Sequence, residues 1–346
     1  MIEILLAIFF ITVLLLFLSS GIWVAISMIG VSSIGMILFT SRPVGDAMAT
    51  TIWGASSSWT LTALPLFVWM GEILFRTKLS ENLFEGLAPW LQKLPGGLIH
   101  VNVVGCALFA AISGSSAATV ATVGKMSIPE LRKRKYPEKI LLGSLAGSGT
   151  LGLLIPPSII LIIYGVTVQE SIAKLFIAGI IPGIMIALIF MGYVIIWSLL
   201  NKNKMPLTEE NYSFLNKLSK SKQLIPVILL ILGVIGSIYT GIATATEAAS
   251  LGVVGALILS YFQKSLNSKT FKESLLGATK TSCMIAFILA GATFLSLAMG
   301  FTGLPRNLAI WIQNMELSPY VLIFVLMIFY IILGMFLDGI SAVVLT

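Results

Sequence analysis

The chain has 346 residues, of which 58% are hydrophobic and only 10% are charged, and its formal net charge is +7. Apolar runs of about 20 residues, the length of helix that crosses a bilayer, recur from end to end. A soluble core does not need that much apolar surface, so the composition indicates a polytopic membrane protein. Cys106 and Cys283 have no clustered ligand partners and are expected to be buried, inert thiols rather than a disulfide or metal site.

The first predicted element is a membrane segment in the opening run "MIEILLAIFFITVLLLFL". A secretory signal peptide would show a positively charged start and a cleavage site of small residues. This run instead opens with an acid and continues into more apolar sequence. We therefore expect the segment to be retained. Residues 1–60 are interpreted as N-terminal membrane segments that form part of a scaffold.

The next predicted element is an amphipathic arm over residues 74–97. Leucines recur there at steps of four, at positions 79, 83, 87 and 91, with polar residues between them. This pattern predicts a helix that lies at the membrane interface. Arg76, Lys78 and Lys93 flank it, which favours the cytoplasmic side.

Residues 101–125 follow as two short apolar legs around the cluster "SGSS". Neither leg is long enough to cross a bilayer, and the chain is expected to be cytoplasmic at both ends, so we predict a re-entrant hairpin. Irregular backbone at membrane depth is tolerated only where protein buries it or where it lines a wet cavity. The tip is therefore a candidate ion or substrate site, formed by Ser113, Gly114, Ser115 and Ser116.

Residues 140–165 form one hydrophobic segment with glycines and two consecutive prolines in its middle. Prolines remove backbone donors, so the pattern predicts a helix broken at mid-membrane. A hairpin beside a broken helix is the arrangement in which secondary transporters bind ions and substrates. The alternative is that small residues only allow close helix packing. The candidate residues are Gly147, Ser148, Gly149, Thr150, Gly152, Pro156 and Pro157.

Lys and Arg concentrate in three loops, at residues 125–139, 201–222 and 263–280. The rule that positive loops stay inside places all three in the cytoplasm, and even numbers of spans, including 225–240 and 242–262, separate them. Topology therefore explains the charge without a nucleic-acid partner.

The end of the chain repeats the hairpin layout with opposite orientation. Residues 321–346 give an apolar leg, a small polar cluster and the start of a second leg, with Asp338, Gly339 and Ser341 at the tip. Inverted repeats of this kind are common in transporters. We divide the chain into a first repeat at 61–200, a cytoplasmic loop at 201–224 and a second repeat at 225–346.

Several stretches together resemble the large membrane subunit (DctM-like) of the tripartite ATP-independent periplasmic (TRAP) transporters. They include "PLFVWMGEIL", "ISGSSAATVATVGKMSIPEL", "GLLIPPSIILIIYG", "TATEAASLG" and "GMFLDGISAVVLT", in that order along nearly the whole chain. The resemblance implies an all-α, inverted-repeat, elevator-type importer of organic acids in the bacterial inner membrane. It implies Na⁺ as coupling ion and no other cofactor.

The resemblance also implies three partners: a small DctQ-like membrane subunit, a DctP-like periplasmic solute-binding protein and a carboxylate substrate such as a C4-dicarboxylate or sugar acid. It assigns the two hairpin tips and the broken helix to sodium and substrate binding. Members of the family continue through a second broken helix and a last span. We therefore expect a second repeat truncated at Thr346, with half of its ion site missing.

Two acidic residues lie in apolar surroundings. An acid in a membrane span is costly, so Asp338 is a functional candidate, although it could also cap a helix at the hairpin tip. For Glu247 in "TATEAA" we favour a capping role with Thr244 or Thr246. No arginine lies within the broken helix or residues 281–300, so the sequence names no cationic partner for a carboxylate.

The sequence is also compatible with other functions. An intramembrane enzyme is disfavoured because one histidine, two separated cysteines and no paired acids in the spans give no catalytic constellation. A channel is not excluded by one hairpin and one broken helix. A sodium/carboxylate symporter or ion antiporter that works without a binding protein is the nearest rival, because the same hairpin plan serves it.

Overall fold

The structure is a computed structural model that describes residues 2–77, 79–206, 213–335 and 339–345. These residues form helices and connecting turns, and none of them lies in a β-strand. The α-helices are α1 (Ile2–Ser19), α2 (Val24–Phe39), α3 (Val44–Ser56), α4 (Ala63–Phe75), α5 (Leu79–Leu91), α6 (Ile99–Ser113), α7 (Ser116–Lys133), α8 (Glu138–Gly149), α9 (Ile159–Thr167), α10 (Ile172–Leu200), α11 (Phe214–Ser221), α12 (Ile225–Tyr239), α13 (Ala245–Phe262), α14 (Ser268–Thr302), α15 (Leu304–Gln313), α16 (Pro319–Gly334) and α17 (Gly339–Leu345). Short 3-10 turns occur at Trp59–Thr62, Thr150–Leu153 and Lys202–Lys204.

Three helices of the described residues, α10, α13 and α14, are long and apolar enough to cross a membrane. The number rises to five if α3 with α4, and α11 with α12, are each counted as one bent span. With 29 residues, α10 is about 43 Å long at 1.5 Å per residue, which exceeds the ~30 Å hydrocarbon core. Its many exposed apolar side chains, such as Ile181 and Leu188, fit a lipid-facing surface. The described residues thus have the all-helical architecture that the resemblance implies, with several helices as apolar as the composition predicts.

The chain divides into two compact units, one of residues 1–61 with 283–346 and one of residues 62–282. In the first unit, Met36 of α2 packs against Phe294 and Ala298 of α14. Gly291 brings α14 onto the backbone of α2, because a Cβ there would lie 2.8 Å from the Ala25 carbonyl oxygen. The repeat boundaries that the sequence suggests concern internal symmetry, and they stay a prediction.

The second unit contains the first hairpin and the broken helix. Its α4 packs along α13, where Gly252 meets the Met70 side chain. The arm α5 buries Leu83 and Leu87 inside this unit. The Leu224 side chain packs against Gly86, where a Cβ would collide with it. Protein packing therefore accounts for those two leucines of the predicted stripe. The position of the arm at the membrane surface stays a prediction.

The "LPGG" turn fixes the start of the hairpin. Gly97 adopts a positive φ of 54°, and a Cβ at this position would collide with the Tyr136 hydroxyl. That hydroxyl accepts a hydrogen bond of 3.1 Å from the Leu98 N–H. Burial raises the pKa of the Tyr136 hydroxyl. Only glycine meets both the conformational and the steric requirement here.

Candidate functional site at the hairpin tip and the broken helix

The hairpin turns within two residues. Gly114 ends α6 in the left-handed region with φ 59°, and its N–H donates to the Ala110 carbonyl at 3.0 Å. Ser115 then caps α7, accepting a 3.4 Å hydrogen bond from the Ala118 N–H. Glycine tolerates the left-handed conformation and serine is a preferred N-cap, so the local sequence specifies this turn.

A buried hydroxyl cluster lies directly behind the turn. The Ser113 and Thr119 hydroxyl oxygens are 3.0 Å apart, and the Thr119 hydroxyl donates to the Ser115 carbonyl at 2.7 Å. Both side chains are buried. The sequence reasoning did not select Thr119, although its spacing of four residues from Ser115 could have indicated the contact, since residues i and i+4 are neighbours on a helix.

The broken span changes conformation three times in a few residues. The α-helix α8 ends at Gly149 and a 3-10 turn runs from Thr150 to Leu153. The chain is then non-helical until Ser158, which caps α9 and donates its hydroxyl to the Leu153 carbonyl at 2.5 Å. The peptide bond between Pro156 and Pro157 is cis.

The hairpin tip and the broken span are in direct contact. The Ile159 N–H donates to the Gly114 carbonyl at 3.3 Å. A Cβ on Gly152 would lie 3.0 Å from the Ser115 carbonyl carbon and 3.0 Å from the Ser116 nitrogen. On the other side, a Cβ on Gly71 of α4 would lie 2.8 Å from the Ser113 Cα. The tip is therefore held between α4 and the broken span by close backbone approach.

Two of the predicted broken-helix residues use their hydroxyls locally. Ser148 donates to the Ser144 carbonyl at 2.5 Å and Thr150 donates to the Gly147 carbonyl at 2.7 Å. Gly147 itself faces the Phe190 ring rather than the tip. The predicted residues that the structure brings to the contact are Ser113, Gly114, Ser115, Ser116, Gly149, Gly152 and Pro157.

The second predicted tip consists of Asp338, Gly339 and Ser341. Asp338 lies outside the described residues. Gly339 begins α17 and Ser341 follows within the same helix, in the other compact unit. The role of all three residues in binding stays a prediction.

The contact brings together four helix ends. The carboxyl ends of α6 and of the α8 segment meet the amino ends of α7 and α9. Carboxyl ends carry partial negative charge and favour cations, whereas amino ends favour anions. Hydroxyl and carbonyl oxygens are also suitable ligands for a hard cation. The arrangement can thus offer oxygen atoms to a cation and amino ends to an anion at one place.

Two sequence predictions outside this site have clear outcomes. Glu247 forms a capping box with Thr244: its carboxylate accepts from the Thr244 N–H at 2.8 Å, and its own N–H donates to the Thr244 hydroxyl at 3.3 Å. The structural role predicted for Glu247 is confirmed.

The two cysteines differ in burial. Cys106 is buried as predicted, but Cys283 is exposed, so the prediction that it is buried is wrong. Cys283 lies on an outward face of the long helix α14, and an apolar surrounding sequence does not distinguish inward from outward faces.

A family comparison matches residues 11–346 to the tripartite ATP-independent periplasmic transporter, DctM component. The chain belongs to this family. The resemblance seen in the sequence is confirmed, and relatives in the DctM family are transporter permeases rather than enzymes.

Three relatives illustrate the range of the DctM family. The C4-dicarboxylate TRAP transporter large permease protein DctM of Pseudomonas aeruginosa is 32% identical over 318 residues, covering 92% of this chain and 74% of the relative. The sialic acid large permease SiaM of Vibrio cholerae is 30% identical, covering 94% and 76%. The isethionate permease DctMQ of Oleidesulfovibrio alaskensis is 30% identical. The match covers 95% of this chain but only 52% of that protein.

Proposed function

We propose that this chain is the large membrane subunit of a sodium-coupled TRAP importer in the bacterial inner membrane. In this proposal a periplasmic solute-binding protein delivers an organic acid, a small DctQ-like subunit supports the large one, and the transport part moves by an elevator mechanism. The DctMQ relative, whose name joins the two membrane components, supports the proposed partnership with a small subunit.

The observation that carries the proposal is the contact between the hairpin tip and the broken span. Ser113, Ser115 and Thr119 place hydroxyl and carbonyl oxygens within hydrogen-bond distance of one another. Such a set favours Na⁺, since unwound carbonyls and helix carboxyl ends coordinate sodium in transporters built on broken helices. The amino ends of α7 and α9 favour a carboxylate at the same place.

The names of the relatives support an anionic cargo. C4-dicarboxylate, sialic acid and isethionate each carry a carboxylate or a sulfonate, and all are attributed to relatives of similar identity. We therefore propose an organic acid for this chain, without choosing among them. The rival function, a symporter or antiporter without a binding protein, predicts uptake that proceeds when the binding protein is left out.

The test is sodium activation of uptake by the complete transporter with Ser113→Ala and Ser116→Ala together. Loss of an interaction with a charged group costs about 1.5–3 kcal/mol. We therefore expect the sodium concentration for half-maximal uptake to rise by ~10-fold or more, since 1.4 kcal/mol is tenfold. Ser250→Ala is the matched control, because Ser250 is exposed and, among the described residues, its hydroxyl bonds within its own helix, to the Thr246 carbonyl. Unchanged sodium activation in the double variant would contradict the assignment of the tip.

A further inference from the structure

A cavity of about 1050 Å³ lies within the unit of residues 62–282. Its walls come from the end of α4, from α5, α7 and α11, from the connection between α13 and α14, and from the start of α14. Each of the three loops that the sequence places in the cytoplasm contributes a lysine to it: Lys125, Lys220 and Lys264. The cavity therefore lies on the side of the unit that the charge pattern predicts to be cytoplasmic.

The described lining residues carry five basic side chains and three acidic ones. Two of the acids are engaged by arginines. Arg76 donates to Glu273 at 3.0 Å, and Arg134 donates to Glu130 at 2.8 Å. Glu85 is the third lining carboxylate. The cavity thus has an excess of positive charge.

Lys125 and Lys264 provide much of this excess. Both are exposed, and among the described residues neither has an acidic group within 4.0 Å. A cleft lined mainly by one sign of charge focuses its field and raises the local concentration of ions of opposite charge. An anion that enters this cavity is consequently attracted.

One helix connects the cavity to the hairpin tip. Thr119, Thr122 and Met126 lie on one face of α7, at the spacing i, i+3 and i+7. Thr119 belongs to the hydroxyl cluster at the tip, whereas Thr122 and Met126 line the cavity. The step from Thr119 to Thr122 is about 4.5 Å along the helix axis. The positive cavity therefore begins about one helical turn from the proposed binding site.

We infer that this cavity is the vestibule through which the anionic cargo leaves for the cytoplasm, and that Lys125 and Lys264 attract its carboxylate or sulfonate group. The inference rests on the proposed function, since it takes the cargo and its binding at the tip from there. It also supplies the cationic groups that the broken helix itself lacks. Positive charge at the exit stabilises the anion after it leaves the tip and guides cytoplasmic anions back toward it.

The charge of the vestibule can be tested without transport. Met126→Cys is introduced into a Cys283→Ser chain of the complete transporter in inside-out vesicles, and the buried Cys106 is the other thiol within residues 1–346. Its labelling rates by an anionic and by a cationic methanethiosulfonate are compared. We expect the ratio of anionic to cationic rate to fall ~10-fold when Lys125→Gln and Lys264→Asn are added, and this difference to shrink at high salt. Asparagine suits position 264 because Lys264 has φ 53°.

Matched controls keep this measurement specific. Lys133→Gln on α7, the helix of Lys125, and Lys272→Gln on α14, which begins soon after Lys264, remove exposed lysines that are not among the lining residues. They should leave the ratio unchanged, and Lys125→Arg with Lys264→Arg should preserve it. A ratio that is the same in the neutralised and the original chain would overturn the inference.

The exit role is tested by exchange of a cargo already shown to be taken up. We expect Lys125→Gln with Lys264→Asn to raise the internal cargo concentration that gives half-maximal exchange ~3- to 10-fold. The external cargo concentration that gives half-maximal exchange should not change. If the labelling ratio falls but the internal value does not change, the cavity attracts other anions, such as lipid headgroups, and the exit assignment is wrong. Failure of the proposed function is recognised separately, because the original transporter would then show no sodium- and binding-protein-dependent uptake.

Discussion

Gly152 is the residue at which a single methyl group would separate the hairpin tip from the broken span. A Cβ there would meet backbone atoms of Ser115 and Ser116 at 3.0 Å, and backbone cannot move aside as a flexible side chain does. We expect Gly152→Ala to cost about 1–3 kcal/mol through overpacking and to lower uptake at least tenfold at equal expression. The measurement is initial uptake rate per transporter in membrane vesicles.

Gly143→Ala is the matched control for this prediction. Gly143 is exposed on α8, in the same broken span, and a Cβ there would meet nothing within 4 Å. We expect it to support normal uptake and to be slightly more stable, since alanine is the better helix former. If Gly152→Ala transports like Gly143→Ala, the close approach of the tip is not required for function.

The sequence indicated part of this site and missed the rest for a physical reason. Small hydroxyl residues between two short apolar legs predict a tip, so Ser113 to Ser116 could be selected from local pattern alone. The spacing of Thr119 from Ser115 is also a local signal, but Gly71 could not be selected in that way. Gly71 matters because it lies against the Ser113 Cα, a contact between residues far apart in the chain that no local spacing encodes.

At the scale of elements, the capping box of α13 makes a prediction about Glu247. If its role is structural, Thr244→Ala should lower the free energy of unfolding by about 1 kcal/mol, because Thr244 is the N-cap. Uptake per folded molecule should not change. Thermal unfolding of the purified complex in detergent measures the first effect, and vesicle uptake measures the second.

Thr246→Ala provides the comparison within the same turn of α13. The described hydrogen bonds of Thr246 involve its carbonyl, which accepts from Ser250, rather than its hydroxyl. We therefore expect Thr246→Ala to unfold like the original chain. A large loss of uptake in Thr244→Ala without a loss of stability would indicate that Glu247 participates in transport instead.

Element boundaries show where charge misleads a reading of sequence. The concentration of basic residues predicts loops at 125–139 and 263–280, yet α7 continues to Lys133 and α14 already begins at Ser268. Exposed lysines do not end a helix, since lysine has good helix propensity and extends its charge into water.

A hydrogen bond from Arg132 to the Glu138 carboxylate connects the end of α7 to the start of α8. It lowers the pKa of the Glu138 carboxyl. The apolar run at 225–240, in contrast, corresponds closely to α12.

At the scale of the whole molecule, the charge pattern predicts more than the side on which each loop lies. The three basic loops are separated by many residues, yet each contributes a lysine to one cavity. Loop charge alone predicts that they share a compartment. Their convergence on one cavity depends on how α7, α11 and α14 pack, which the sequence does not reveal.

This topology predicts the labelling of single cysteines introduced into a Cys283→Ser chain. Cysteines at Lys133, Lys204 and Lys272 should react with a membrane-impermeant thiol reagent only in inside-out vesicles, because all three positions are exposed in the basic loops. Cys106, the other native thiol within residues 1–346, is buried, which keeps its background labelling low.

Positions between the spans should show the opposite behaviour. Glu170 lies between α9 and α10, and Ile242, 81% exposed, lies between α12 and α13. The charge pattern predicts two membrane crossings between successive basic loops, and the turn between two such crossings is then expected to be periplasmic. Cysteines at Glu170 and Ile242 should therefore react only in right-side-out vesicles. If Ile242→Cys reacted from the same side as Lys272→Cys, α13 would not cross the membrane, and the vestibule could not be assigned to the cytoplasm.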